Sequence, residues 1–346
     1  MATAWFILLG FMLIMYVVLD GFDLGAGILH LAVARSDEDR RTVIASIGPL
    51  WDGNEVWLLA AGGLLVFAFP HVYAVAFSGF YLPLMLVLWL LVLRGISIEL
   101  RSGHENILWR QLFDAVFALS SAVLALVLGV ALGNVLRGVP IDASGSFEAP
   151  LFTSFGLTGE LGAIDWYTAS VGVFAVAVLA GHAAMYLRWK TAGELAVRVA
   201  RVARPIWIAV VALAILVTIE TAVVRPALFA HLAARPGLWI LPVIVVTAIT
   251  FVFLSLARGR ELAGFVASAL AIAGLLGLTA GALYPLILPS TVDPKFSLDV
   301  PGSANDASSL AIGLAWWIPA IVLAIAYFAY LFRSFRGKAT PADYHA

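Results

Sequence analysis

At 346 residues the chain is 63% hydrophobic and only 12% charged, with a mean hydropathy of +1.02. Soluble domains carry about a quarter charged residues, so this composition excludes one and describes an integral membrane protein. A formal net charge of −1 excludes nucleic acid, and zero cysteines exclude disulfides, iron–sulfur clusters, thiolate zinc sites and c-type haem attachment.

Residues 1–4 lack a basic n-region, and the apolar run after them is too long for a cleaved signal, so the first segment is expected to stay in the membrane. A crossing helix needs about 20 apolar residues. That criterion predicts nine spans, roughly 5–33, 51–69, 72–93, 113–136, 163–187, 205–224, 237–257, 262–283 and 309–332. Basic residues test the count. Alternate connections carry Arg35, Arg40 and Arg41; Arg94, Arg101 and Arg110; Arg188, Lys190, Arg198, Arg201 and Arg204; then Arg258 and Arg260. The tail adds Arg333, Arg336 and Lys338, whereas the opposite side has only Arg137, Arg225, Arg235 and Lys295. The positive-inside rule then predicts an external N-terminus and a cytoplasmic C-terminus.

Two acidic pairs interrupt the apolar pattern. Asp20 and Asp23 lie inside the first span, in Val18-Leu19-Asp20-Gly21-Phe22-Asp23-Leu24-Gly25-Ala26-Gly27. Asp52 and Glu55 open the second, in Gly48-Pro49-Leu50-Trp51-Asp52-Gly53-Asn54-Glu55-Val56-Trp57. Each pair is spaced i, i+3 and shares a helix face. On the predicted orientation, both lie on the cytoplasmic half of sequential helices. Asp52 and Glu55 are equally explained as first-turn acids complementing a helix N-terminus. Asp20 and Asp23 are not, because no Lys or Arg lies between Met1 and His30. An acid at membrane depth without a local counter-ion is either protonated or hydrated, and both states suit proton handling. Gly21, Gly25 and Gly27 thin one side of the first helix for a close neighbour. Trp51 and Trp57 read as interface anchors.

Other polar features point less sharply. Of the histidines His30, His71, His104, His182, His231 and His345, only His30 and His182 fall near one depth, at the cytoplasmic end. Lone histidines bonded to backbone or water remain the favoured reading, so neither haem nor metal ligands are assigned. Segment 94–114 is expected to be a cytoplasmic loop with an amphipathic turn, and 137–162 and 291–308 are expected to be external loops. No regular helix fits Tyr284-Pro285-Leu286-Ile287-Leu288-Pro289-Ser290. Glu220 has no assigned role. A faint repeat matches Gly48-Pro49-Leu50-Trp51-Asp52 to Arg204-Pro205-Ile206-Trp207-Ile208, as if two four-helix units were followed by a ninth helix.

The two acidic motifs, with Ala76-Phe77-Ser78-Gly79-Phe80-Tyr81, the Leu283-Tyr284-Pro285 and Pro289-Ser290-Thr291 stretches and the 305–309 entrance (interrupted by Asp306), resemble the smaller subunit of the cytochrome bd-type quinol oxidases. The resemblance covers essentially the whole length and is most specific in the first 110 residues. It implies an all-α membrane fold of nine helices, as two four-helix bundles plus one peripheral helix. The units would be 1–136, an external loop 137–162, 163–290, and 291–346 with the ninth helix and tail.

It further implies a heterodimer in a bacterial inner membrane with a larger subunit carrying haem b and haem d. Such a complex oxidises quinol, reduces dioxygen to water and takes protons from the cytoplasm without pumping. A small single-span subunit, lipid and quinone are further partners. Carried over residue by residue, Asp20 and Asp52 would line the proton path. Asp23 and Glu55 would join them, and Trp51, Asn54, Gly21 and Gly53 would support. Two rivals from other classes are a secondary transporter, which would mirror its broken helices across both halves, and a haem b membrane anchor, which would need a histidine pair.

Overall fold

The computed structural model describes residues 1–157 and 161–343. Residues 158–160 of the expected external loop, and 344–346 of the tail with His345, lie outside the described residues. Helix α1 (Ala2–Val33) leads through α2 (Asp37–Ile47) into α3 (Trp51–Ala68), α4 (Pro70–Gly79), α5 (Tyr81–Leu100) and α6 (Ile107–Arg137). Past the long loop come α7 (Trp166–Lys190), α8 (Gly193–Val224), α9 (Pro226–Ala233), α10 (Ile240–Arg258) and α11 (Glu261–Leu283). A small antiparallel hairpin, β1 (Leu286–Leu288) with β2 (Leu298–Asp299), then precedes α12 (Val300–Ser303) and α13 (Ala307–Ser334).

Local chemistry sets the boundaries. Asn106 caps α6, Asp165 forms a capping box with Thr168 at α7, and Asp306 accepts the amides of Ser308 and Ser309 at α13. The Asp306 that interrupts the family-like run is thus the cap of the last helix. Gly259 ends α10 in the left-handed region at φ 66°, where other residues are strained.

Among the described residues, eight helices are long and apolar enough to cross a membrane: α1, α5, α6, α7, α8, α10 with its preceding turn, α11 and α13. The remaining predicted span, 51–69, is α3, which has 18 residues and spends its first two turns on Asp52, Asn54 and Glu55. The span predicted over 72–93 is two helices, because Phe80 leaves helical geometry (φ −96°, ψ 23°) between α4 and α5. The loop predicted over 94–114 shrinks to 101–106, and Arg94 belongs to α5. Pro205 and Trp207 lie inside α8 rather than ahead of it, so the faint repeat is not a shared helix start.

The core is α1 wrapped by α3, α6, α7 and α11. Lipid tails are as apolar as leucine, so such helices are held by close packing rather than by escape from water. Gly25 meets the Leu179 carbonyl and Ala183 of α7, and Gly27 meets Ser121 of α6, with no room at either position for a β-carbon. The apolar window of α7 is 67% buried and that of α13 only 11%, which sets α7 inside and α13 at the periphery.

At the α2 end of the bundle, Ser36 and Asp39 cap α2 reciprocally. Burial pushes the Asp39 carboxyl up, but the Arg35 and Ser36 amides and the Arg198 guanidinium, 2.5 Å away, hold it below the usual carboxylate value. The unfolded chain therefore binds this proton first. The stabilisation is complete above the ordinary carboxylate range and disappears as pH falls through the lowered value. Hydrogen-exchange protection of the first turn of α2 should weaken below about pH 4, and Asp39→Asn should flatten that dependence. Equal acid sensitivity in parent and variant would assign the loss to another group.

Candidate functional site

Three helices bring the acids together. Helix α1 presents Tyr16, Asp20 and Asp23 at i, i+4 and i+7, a spacing that lines one face. Asp20 and Asp23 are wholly buried. Helix α3 enters at their level: Asn54 Nδ2 donates to Asp23 Oδ2 at 2.7 Å and to the Leu19 carbonyl at 3.2 Å. From α5, Arg94, also wholly buried, donates through Nη1 to Asp20 Oδ1 at 2.6 Å and through Nη2 to Glu55 Oε2 at 2.8 Å. Its planar fork suits two carboxylates from two helices, which a lysine cannot bridge with the same geometry. The expectation that Asp20 lacks a cation is therefore corrected: the counter-ion comes 74 residues later in the chain. Five buried atoms of this cluster, Tyr16 Oη, Asp20 Oδ2, Asp23 Oδ1, Asn54 Oδ1 and Arg94 Nε, have no hydrogen-bond partner among the described residues.

The remaining sequence-predicted residues surround this core. Asp52 is exposed on the first turn of α3, one turn before Glu55. The Trp51 ring packs on Gly95 of α5, while Gly53 faces Tyr327 and Phe328 of α13. Trp57 stacks edge-on to Phe11 at 6.0 Å and lies 5.6 Å from Phe328, so it is a packing residue. Gly21 lets Leu179 and His182 approach α1.

A second network at the α2 end was missed by sequence reasoning. The Asp114 carboxylate of α6 accepts from His30 Nε2 (2.7 Å), Arg101 Nε (2.5 Å) and Arg40 Nη1 (2.9 Å), and Arg101 continues to Asp37 (2.8 Å). Arg101 is 1% exposed, a buried position for a residue counted among loop cations. His182 uses both ring nitrogens, on Ser268 Oγ at 2.7 Å and on the Val18 carbonyl at 3.0 Å. Val18 and His30 are twelve residues apart on α1, about 18 Å, so His30 and His182 do not share a depth as the sequence had implied. No group of His, Asp and Glu with metal-binding geometry occurs among the described residues. Glu220, without a role from sequence, accepts from Ser170 Oγ at 3.2 Å between α8 and α7.

The family model described as "Cytochrome bd terminal oxidase subunit II" matches residues 1–335. "Cytochrome bd-I ubiquinol oxidase subunit 2" of Escherichia coli (strain K12) is 33% identical over 376 residues, covering 98% of this chain and 95% of that protein. "Cytochrome bd ubiquinol oxidase subunit 2" of Bacillus subtilis (strain 168) is 28% identical, with 98% of each covered. Among solved structures, "The structure of bd oxidase from Geobacillus thermodenitrificans" contains a chain of the same fold. Its TM-score is 0.72 at 20% identity, with 96% of this chain and 98% of that one covered. The chain belongs to the cytochrome bd terminal oxidase subunit II family.

Proposed function

We propose that the Asp52–Glu55–Arg94–Asp20 row takes up protons for a cytochrome bd-type quinol oxidase, of which this chain is subunit II. The observation that carries the reading is the bridge by which Arg94 ties buried Asp20 to Glu55, one turn from exposed Asp52. One cation faces three carboxyl groups (Asp20, Asp23 and Glu55), so the set approaches neutrality only while protons are shared among them. A cluster that must hold protons to be stable, and that ends at a surface acid, is suited to load from one side and pass inward. Arg94 keeps its own charge throughout and fixes the two carboxyls. Asn54 does the same for Asp23, and the Trp51–Gly95 contact seats α3 against α5.

In this reading the α2 end faces the cytoplasm and the N-terminus lies outside. The other cations at that end, most of them within helices, support it even with Arg94, Arg101, Arg188 and Lys190 buried. Helix α3 serves as a further span, making nine, and residues 1–136 and 163–290 form the two bundles, with α13 peripheral. The partner is the larger subunit, whose haem b and haem d supply the electron transfer and dioxygen chemistry. A small single-span subunit and lipid complete the assembly. The bonded nitrogens of His182 and Nε2 of His30 fit a subunit that ligates no haem.

The test uses the assembled complex. Asp52→Asn and Asp20→Asn keep size and most hydrogen bonding but end proton exchange at those positions. Quinol-driven oxygen uptake should fall about tenfold, equivalent to about 1.4 kcal/mol on the limiting step. The haem spectrum should not change. Parental turnover by both variants across the pH range would move the path elsewhere.

A further inference from the structure

Tyr16 is the residue of this region that neither the acidic motifs nor the ion pairs account for. It lies one turn before Asp20 on the same face of α1, 2% exposed, about 6 Å farther from the α2 end. At i and i+4 the two side chains are neighbours on one face of α1, where Arg94 donates to Asp20. Neither the Tyr16 hydroxyl nor Asp20 Oδ2 has a well-aligned hydrogen-bond partner among the described residues. A buried phenol left so costs free energy that phenylalanine would not.

Tyr16 also lines an apolar cavity of about 270 Å³ between α1, α6, α7, α8, α9 and α11. The hydroxyls of Thr218, Thr221 and Thr279 on that wall are each turned back onto a carbonyl of their own helix, at 2.6, 2.6 and 3.0 Å. Tyr16 therefore stands at the boundary where the acid cluster ends and apolar lining begins, with an oxygen able both to donate and to accept.

We propose that the Tyr16 hydroxyl is the inner carrier of the proton path, receiving from Asp20. The inference rests on the proton-uptake reading of the cluster. In the step, the proton of the Asp20 carboxyl forms a bond to the phenol oxygen while the original phenolic O–H bond breaks toward a water molecule on the far side. The carboxyl becomes a carboxylate held by Arg94, the water gains the proton, and the phenol ends as it began. No electron moves. A hydroxyl can do this where a third carboxylate would add another buried charge to a cluster with a single cation.

Tyr16→Phe in the assembled complex removes one oxygen and keeps the ring, so packing, assembly and haem spectrum should persist. Oxygen uptake should fall severalfold, and the ratio of rates in H2O and D2O should rise as proton delivery becomes limiting. Combining it with Asp20→Asn should add no further loss, because the two lie in series. A purely structural tyrosine predicts parental rate and an unchanged isotope ratio. That result, obtained while Asp20→Asn and Asp52→Asn are slow, overturns the Tyr16 step alone. Parental rates in all three variants overturn the proton-uptake reading itself.

Discussion

Replacing Arg94 with Gln should leave little assembled complex. The side chain is wholly buried and pairs with one carboxyl of α1 and one of α3. Its removal leaves two acids facing each other across the α1–α3 contact without their cation. Breaking a buried ion pair by deleting one partner typically costs about 3–5 kcal/mol, a large share of the stability of an ordinary domain. The readout is the yield and thermal half-life of detergent-extracted complex. Adding Asp20→Asn to Arg94→Gln removes half of the exposed repulsion and should restore part of that yield, which no general packing defect would do. Arg94→Lys should be intermediate, since an ammonium reaches one carboxylate but not both in the same geometry. If Arg94→Gln accumulates and turns over like the parent, the bridge is an incidental contact.

Gly25→Ala should be nearly as damaging, for a steric reason. A β-carbon there would overlap the backbone carbonyl of Leu179 and the side chain of Ala183, and neither is the free end of a flexible group. Helices α1 and α7 would have to separate, loosening the His182 hydrogen bond to the Val18 carbonyl that ties them. Overpacking of a tight contact costs about 1–3 kcal/mol, and backbone against backbone belongs at the upper end. Gly10 lies on the same helix with open space around it, so Gly10→Ala should be neutral or gain up to about 1 kcal/mol from helix propensity. Equal thermal stability of the two variants would refute the close-approach argument.

The long spans were legible because crossing a bilayer demands a continuous apolar run, and hydropathy reads such a run without knowledge of contacts. The acids stood out for the same reason. Arg94 did not. It sits where the apolar stretch Leu91-Val92-Leu93 gives way to Gly95-Ile96-Ser97, and charge counting assigns any cation near a span end to the loop. The alternation after it, with Ile96 and Ile98 between polar neighbours, is also compatible with a helix that continues. Helix α2 was hidden among charged residues, although Ser36 with Asp39 three residues on is a capping signal. The Asp114 network joins residues of four separate segments, and no local pattern records which acid a distant arginine will reach. The break at Phe80 depends on packing around α4 and α5, which no local motif announces.

The central place of α1 has a consequence for biogenesis. The helix that α3, α6, α7 and α11 surround leaves the ribosome before they do, and it enters the bilayer carrying Asp20 and Asp23. Each such acid disfavours insertion by about 2.5–3.5 kcal/mol near the middle of a span, which Leu, Ile, Phe and Val offset at about 0.3–0.6 kcal/mol apiece. The cation that pairs with Asp20 is 74 residues downstream. At about 5–20 residues per second, the nascent chain waits about 4–15 s before Arg94 has even been translated. Throughout that interval α1 is a span with two acids and without the arginine that pairs with Asp20 in the folded chain. Docking of α5 is then the event that converts an exposed liability, open to membrane proteases, into a closed bundle.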